Sequence, residues 1–218
     1  MLGDEISLFE PRRCVFDPVR GALAGSTRSY TKRLAQLAGL YGDEAAYATA
    51  LATMGDETVY EVTEFRPSTK PGDLIFGVTR MVPGKIGREY FMTRGHIHAK
   101  VDRSEMYYGQ GGHGLMLVES PVGETRIVEI APQTVCYVPP LSIHRAVNTG
   151  SEDFLMLFCY PADAGQDYDI IGRAGGMRSR ILDDGNGGWT EAPNAKYAPR
   201  PAGEVARLLE ACRHGVGE

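Results

Sequence analysis

The clearest periodicity lies between residues 58 and 160, where apolar and polar positions alternate in short runs. Residues 59–66, rich in Val, Tyr, Thr and Phe, read as one strand and residues 74–82 as a second. Further short runs follow at 106–109, 114–119, 125–130, 134–138, 145–148 and 154–160, separated by turns rich in Gly, Pro, Asn or Ser. Many short strands spaced about ten residues apart predict an all-β sandwich or barrel rather than alternating βαβ units.

The flanks have a different texture. Leu34, Leu37 and Leu40 recur at helical spacing from Thr31 until Gly42. Asp43 and Glu44 then open a second, alanine-rich helix that runs to about Met54 and ends at Gly55. The pattern therefore predicts an N-terminal extension over 1–57 carrying two short helices, a barrel over 58–183 and a C-terminal extension over 184–218. After the barrel strands, residues 163–171 read as a turn and short helix, 177–183 as a strand and 185–188 as a hairpin loop. A last helix is predicted at 204–213, with Val205, Leu208, Leu209 and Cys212 on one face.

Bulk properties narrow the classes. A chain of 218 residues fits one domain with additions. Its net charge of −5 disfavours nucleic-acid and anionic-membrane partners. No apolar run approaches the roughly 20 residues that span a bilayer. Asp4, Glu5, Glu10 and Pro11 do not match a signal peptide, so the expected location is the cytoplasm. Cys14, Cys136, Cys159 and Cys212 are scattered and read as reduced, with Cys136 and Cys159 buried in strands.

The chemistry concentrates in one stretch, from Arg94 to Glu105. If its first half is extended, His96 and His98 point to the same face, because side chains alternate along a strand. Glu105 follows a short polar turn, where a second strand brings a carboxylate back alongside. Two imidazoles and a carboxylate suit a divalent cation, and His144, behind Pro139 and Pro140, is a fourth candidate. Glu105 is also the carboxylate best placed to act as a base. His113 reads as a turn residue, and His214 lies in the tail.

The spacing H-x-H-x₆-E followed by P-P-x-x-x-H resembles the cupins. Longer strings are more specific: Pro83-Gly-Lys-Ile-Gly-Arg-Glu-Tyr-Phe91, Thr93 through Glu105, Tyr137-Val-Pro-Pro140 with His144-Arg145, and Tyr160-Pro-Ala-Asp-Ala-Gly165. In these the chain resembles the cupin-type (archaeal-type) phosphoglucose isomerases, loosely from Leu34 to Asp183. The resemblance implies a cupin β-barrel that interconverts glucose 6-phosphate and fructose 6-phosphate, usually as a homodimer. It implies one divalent metal, most often Fe(II), with Mn, Ni or Zn as alternatives, held by His96, His98, Glu105 and His144. Tyr60, Thr79, Thr93, Gly95, Tyr107 and Tyr168 match its substrate contacts, and Tyr160 joins Glu105 in the catalytic role.

One position departs from the family: Gln166 stands where a histidine is frequent, and an amide hydrogen-bonds a sugar oxygen but does not shuttle protons. Lys85, Arg94 or Lys100 are candidates to add charge beside the substrate phosphate. A cis-enediol route through Glu105 and a hydride shift both remain open, as do mannose 6-phosphate isomerisation, an iron oxygenase activity and a non-catalytic sugar-binding cupin.

Overall fold

The alternating runs become antiparallel strands in the computed structural model, which describes residues 11–215. The N-terminal part contains β1 (Val15–Asp17), β2 (Ala22–Ala24) and β3 (Arg28–Arg33), then a single 3-10 turn at Leu34–Leu37 and helix α1 (Glu44–Met54). The central strands are β4 (Thr58–Phe65), β5 (Leu74–Met81), β6 (Lys85–Ile86), β7 (Glu89–Tyr90) and β8 (Glu105–Gly111). They continue with β9 (Gly114–Glu119), β10 (Thr125–Ile130), β11 (Val135–Val138), β12 (Ile143–Asn148) and β13 (Phe154–Pro161). Helix α2 (Asp169–Arg173), strands β14 (Ser179–Asp183) and β15 (Trp189–Pro193), and helix α3 (Ala202–Gly215) complete the chain.

A six-stranded sheet in the order β11-β8-β13-β5-β4-β3 is the larger wall of the barrel, and β10-β9-β12 is the smaller. Their apolar faces share one core, with Met116 and Val147 from the smaller sheet among Val59, Ile75, Met81 and Phe154 from the larger. A third sheet, β15-β14-β7-β6, lies outside these two. The antiparallel sandwich or barrel expected from strand spacing is therefore present, in keeping with the cupin barrel that the resemblance implies.

The first predicted helix is not. Residues 28–33 form β3, paired in antiparallel register with β4 from Arg28↔Glu64 to Arg33↔Thr58. The leucine spacing survives as one turn that buries Leu34 and Leu37. Tertiary pairing overrides a weak helical preference here, because the edge of β4 offers a row of backbone partners that a helix leaves unmet. Gly39, at φ +80°, breaks any continuation. The second helix forms as expected, with the Asp43 carboxylate accepting from the Ala46 N–H at 2.8 Å and Gly55 ending it at φ +74°. The hairpin of β1 and β2 is an element the sequence pattern did not announce.

Gly185–Gly188 links β14 to β15 as a hairpin loop. The terminal helix presents Leu208 and Cys212, not Leu209, to an apolar cluster with Ile97, Val101 and Leu117. Cys136 is buried, whereas Cys159 is only half-buried. Among the described residues no helix is long and apolar enough to cross a membrane.

A buried ion pair ties the C-terminal segment to the barrel. Arg200 Nη1 donates to Glu119 Oε1 at 2.6 Å, with the two side chains 1% and 0% exposed. The other carboxylate oxygen accepts the Arg178 backbone N–H at 2.6 Å. Removing one partner strands the other charge in a low-dielectric interior. Glu119→Ala is therefore expected to destabilise the fold by about 3–5 kcal/mol in urea unfolding; a loss below about 1 kcal/mol would show that the pair does not anchor this segment.

Candidate metal centre

Strand register decides which side chains share the concave face. Val62 pairs with Thr79, which pairs with Met156, while Glu64 pairs with Gly77, which pairs with Phe158, opposite Tyr107. Directly paired residues project to the same side of an antiparallel sheet. Tyr60 lies two residues before Val62, Tyr160 two after Phe158 and Glu105 two before Tyr107, so all three join that face. Gly77 is required in this lattice, since a Cβ there would lie 2.5 Å from the Phe158 ring and 2.5 Å from the Thr63 carbonyl oxygen.

The stretch 91–97 runs beside β12 as a broken strand. Thr93 N–H donates to the Ala146 carbonyl at 2.9 Å, and His96 and His144 exchange backbone hydrogen bonds at 3.1 and 2.9 Å. Gly95 is the break, at φ +75°, and a Cβ on it would come within 2.8 Å of the His144 carbonyl oxygen. The kink lets His96 face the barrel interior beside His144, with ring centroids 4.5 Å apart.

Glu105 is the hub of the centre. Its Oε2 lies 3.1 Å from His144 Nε2, 3.2 Å from His98 Nε2 and 3.8 Å from His96 Nε2. Donor atoms of His96, Glu105 and His144 all lie within 4.8 Å of one another. His98 stands slightly outside that triplet and reaches it through Glu105.

The hydrogen bonds on the far side of the rings fix what faces inward. His98 Nδ1 sits 2.8 Å from the Arg103 carbonyl oxygen and His144 Nδ1 sits 3.2 Å from the Ser142 carbonyl oxygen. A carbonyl only accepts, so both Nδ1 atoms carry the proton and both Nε2 atoms turn lone pairs toward a carboxylate. Lone pairs set against a carboxylate at about 3 Å are balanced by a shared cation, a proton or a metal ion. His96 Nε2 and His98 Nε2 are buried without a hydrogen-bond partner, which is the state of ligands waiting for a metal. The four residues fit a divalent ion.

Electrostatics agree. Burial, reinforced by the neighbouring imidazole of His144, pushes the His96 imidazole well below its usual value, so it stays neutral and able to ligate. Burial alone would raise Glu105, but His144 and His98 outweigh it and hold the carboxyl well below the usual carboxylate range. Burial lowers the His98 imidazole, but the Glu105 carboxylate outweighs it and pushes it up, so without a metal a proton takes the place between Nε2 and Oε2 that the ion would occupy. Burial raises the phenols of Tyr107 and Tyr160 and lifts Tyr60 to about 12, so all three remain hydrogen-bond donors at neutral pH.

A cavity opens beside this centre. It is lined by His96, Glu105 and His144, and by every residue expected to touch substrate: Tyr60, Thr79, Thr93, Gly95, Tyr107, Tyr160 and Tyr168. Gln166 also lines it and accepts a hydrogen bond from the Tyr168 hydroxyl. The candidate phosphate cations do not line it. Lys85 pairs with Asp183, Lys100 with Asp163 at 2.7 Å and Arg94 with Asp169 at 3.0 Å. Tyr30, Glu64 and Phe158 are lining residues that the sequence reading missed. Tyr30 was missed because it precedes the helix expected from Thr31, in a stretch to which no strand was assigned, whereas Glu64 and Phe158 sat in recognised strands whose inward face was not assigned.

With the fold and centre described, relatives can be compared. The family model described as Glucose-6-phosphate isomerase (GPI) matches residues 31–200. The chain belongs to that family. It is 60% identical over 201 residues to "Putative glucose-6-phosphate isomerase 1" of Rhizobium meliloti (strain 1021), covering 92% of this chain and 94% of that protein. It is 41% identical over 188 residues to "Glucose-6-phosphate isomerase" of Thermococcus litoralis, covering 86% of this chain and 97% of that one. Among solved structures, an oxalate oxidase in complex with the substrate analogue glycolate aligns at 15% identity and TM-score 0.43, over 50% of this chain and 55% of that one. The family is that of an isomerase enzyme.

Gly95→Ala tests the geometry of the centre. The added Cβ meets the His144 backbone, and the left-handed φ is unfavourable for alanine. It is expected to weaken Mn(II) binding by at least tenfold in calorimetric titration; unchanged affinity would mean that the kink does not set the ligand positions.

Proposed function

We propose that this chain interconverts D-glucose 6-phosphate and D-fructose 6-phosphate in the cavity above Glu105, with a divalent metal held by His96, His98, Glu105 and His144. The observation that carries this reading is the inward set of Nε2 lone pairs around one carboxylate, beneath a cavity of hydroxyl groups. Fe(II) is the proposed metal, with Mn(II), Ni(II) and Zn(II) acceptable to the same nitrogen and oxygen donors. The proposed working form is a cytoplasmic homodimer, on family grounds.

Isomerisation moves a hydrogen between C1 and C2 of the open-chain sugar. A bound divalent cation polarises the sugar carbonyl and stabilises negative charge developing on its oxygen. Glu105 is ionised and turns Oε2 toward the three imidazoles, which leaves Oε1 to take the proton from C2 and return it at C1. A general base of this kind typically contributes 10²–10⁴-fold. The cis-enediol route is preferred because it gives this desolvated carboxylate a task, whereas a hydride shift leaves it only a ligand.

The remaining lining residues bind and orient. Thr79, Thr93, Tyr60 and the Gly95 backbone form a neutral cradle proposed to take the phosphate. Lys85, Arg94 and Lys100 are paired with aspartates away from it, so the proposed cradle relies on hydrogen-bond donors, with Arg145 the one guanidinium in the described lining of the cavity. Tyr160 lies against the proposed metal ligands, its ring 5.5 Å from that of His98, and its phenol gives a proton to O1 as the enediol forms and recovers one from O2 as the ketone forms. Gln166 fixes Tyr168 through its amide oxygen, taking up a positioning task in place of proton shuttling.

Two measurements test this. Chelator-stripped protein is expected to regain glucose 6-phosphate isomerisation when Fe(II), Mn(II), Ni(II) or Zn(II) is restored, and Glu105→Gln to lose at least 10²-fold in kcat with any of them. Metal binding without turnover would overturn the reading. Thr79→Val is expected to raise KM for the sugar phosphate by about tenfold with little change in kcat; an unchanged KM would place the phosphate elsewhere.

A further inference from the structure

Beside the metal centre, on the same concave face, lies a charged chain that the proposed chemistry does not use. Glu64 lines the cavity with its side chain 3% exposed, and its Oε1 accepts from Arg28 Nη1 at 3.3 Å and from Arg66 Nε at 3.1 Å. Arg66, which is 26% exposed, uses a second nitrogen: its Nη2 donates to the Tyr160 hydroxyl at 3.1 Å. Tyr160 in turn is buried, stacks on Phe158 with centroids 5.8 Å apart and lies against the His98 ring. A carboxylate among apolar neighbours is stable only when paired, and two arginines on one oxygen satisfy that need.

The direction of the last hydrogen bond matters. A guanidinium has no acceptor, so it can only donate, and the Tyr160 oxygen must accept from it. The phenolic proton is then unable to point at Arg66 and is left to the cavity. We propose that Arg66, locked by Glu64, is a positioning residue that orients the Tyr160 hydroxyl as a donor toward an oxygen of a hydroxylated, phosphorylated ligand. Arg66 touches no substrate itself; it acts through Tyr160. Two bonds from one rigid fork fix both ends, which a lysine ammonium on a flexible stem does poorly. This inference rests on the sugar-phosphate reading of the cavity and adds to it a residue pair for ligand orientation.

A double-mutant cycle decides it, because damage to the fold from losing Arg66 would appear in both backgrounds and cancel. The Mn(II)-loaded wild type, Arg66→Leu, Tyr160→Phe and the double variant are titrated calorimetrically with an equilibrated mixture of glucose 6-phosphate and fructose 6-phosphate, and turnover is measured in parallel. Each single change is expected to weaken Kd by about tenfold, the scale of one hydrogen bond involving a charged group, and the double variant to lie within about twofold of Tyr160→Phe. Arg66→Lys, which keeps a cation against Glu64, is expected to lose at least threefold. Arg66→Leu within twofold of wild type, or a double variant weakened about a hundredfold by multiplication of the two effects, would overturn the inference. Coupled binding in a protein with no turnover would uphold the Arg66–Tyr160 link and overturn the isomerase reading instead. Turnover with multiplicative effects would do the reverse. A wild type that does not bind the sugar phosphates would overturn both.

Discussion

The structure turns on a carboxylate buried among three imidazoles. Glu105 and His144 are each 5% exposed or less, and both ring nitrogens that anchor His98 and His144 to backbone carbonyls force lone pairs inward. Such an arrangement is repulsive by itself and attractive around a cation. The surrounding barrel makes sense as the scaffold that holds these groups at 3–4 Å despite that repulsion.

Two backbone features carry most of that task. The kink at Gly95 brings a stretch that is not a regular strand against β12, so that His96 and His144 bond backbone to backbone while their rings meet. The antiparallel register of the six-stranded sheet then lays Glu105, Tyr107, Tyr160, Thr79 and Tyr60 on one face around the centre. Packed sheets place side chains more reproducibly than loops do, and most of the cavity wall is sheet. The charged chain from Glu64 through Arg66 to Tyr160 extends the same logic, with one strand's carboxylate governing a hydroxyl two strands away.

Charge is arranged with the same economy. The chain carries a net charge of −5, and the cavity presents hydroxyls and a His/Glu cluster, with Arg145 and Glu64 as the further charged groups in its lining. Lys85, Arg94 and Lys100 are occupied by Asp183, Asp169 and Asp163. Their ion pairs brace loops and turns around the barrel, and surface pairs of this kind stabilise only slightly. In the proposed reading, selectivity for a phosphorylated sugar draws on directional hydrogen bonds, which discriminate more sharply than a point charge does.

Much of this protein was legible in its sequence. Period-2 alternation and turn residues gave nearly every central strand, because a strand with one buried face writes that pattern directly. The cluster of His96, His98 and Glu105 was legible as well, since the two histidines lie two apart and Glu105 opens the next strand, a local relation that needs no knowledge of the fold. What lies far apart in sequence was decided only in three dimensions. The leucines of 34–40 match a helix, but backbone pairing with β4 made residues 28–33 a strand and brought Tyr30 to the cavity. Glu64 and Arg66 look like ordinary charged strand residues until the sheet places them against Arg28 and Tyr160. Lys85, Arg94 and Lys100 look available to a phosphate until their aspartate partners arrive from other segments. Local periodicity fixes which way a side chain faces; only long-range packing settles what it meets there.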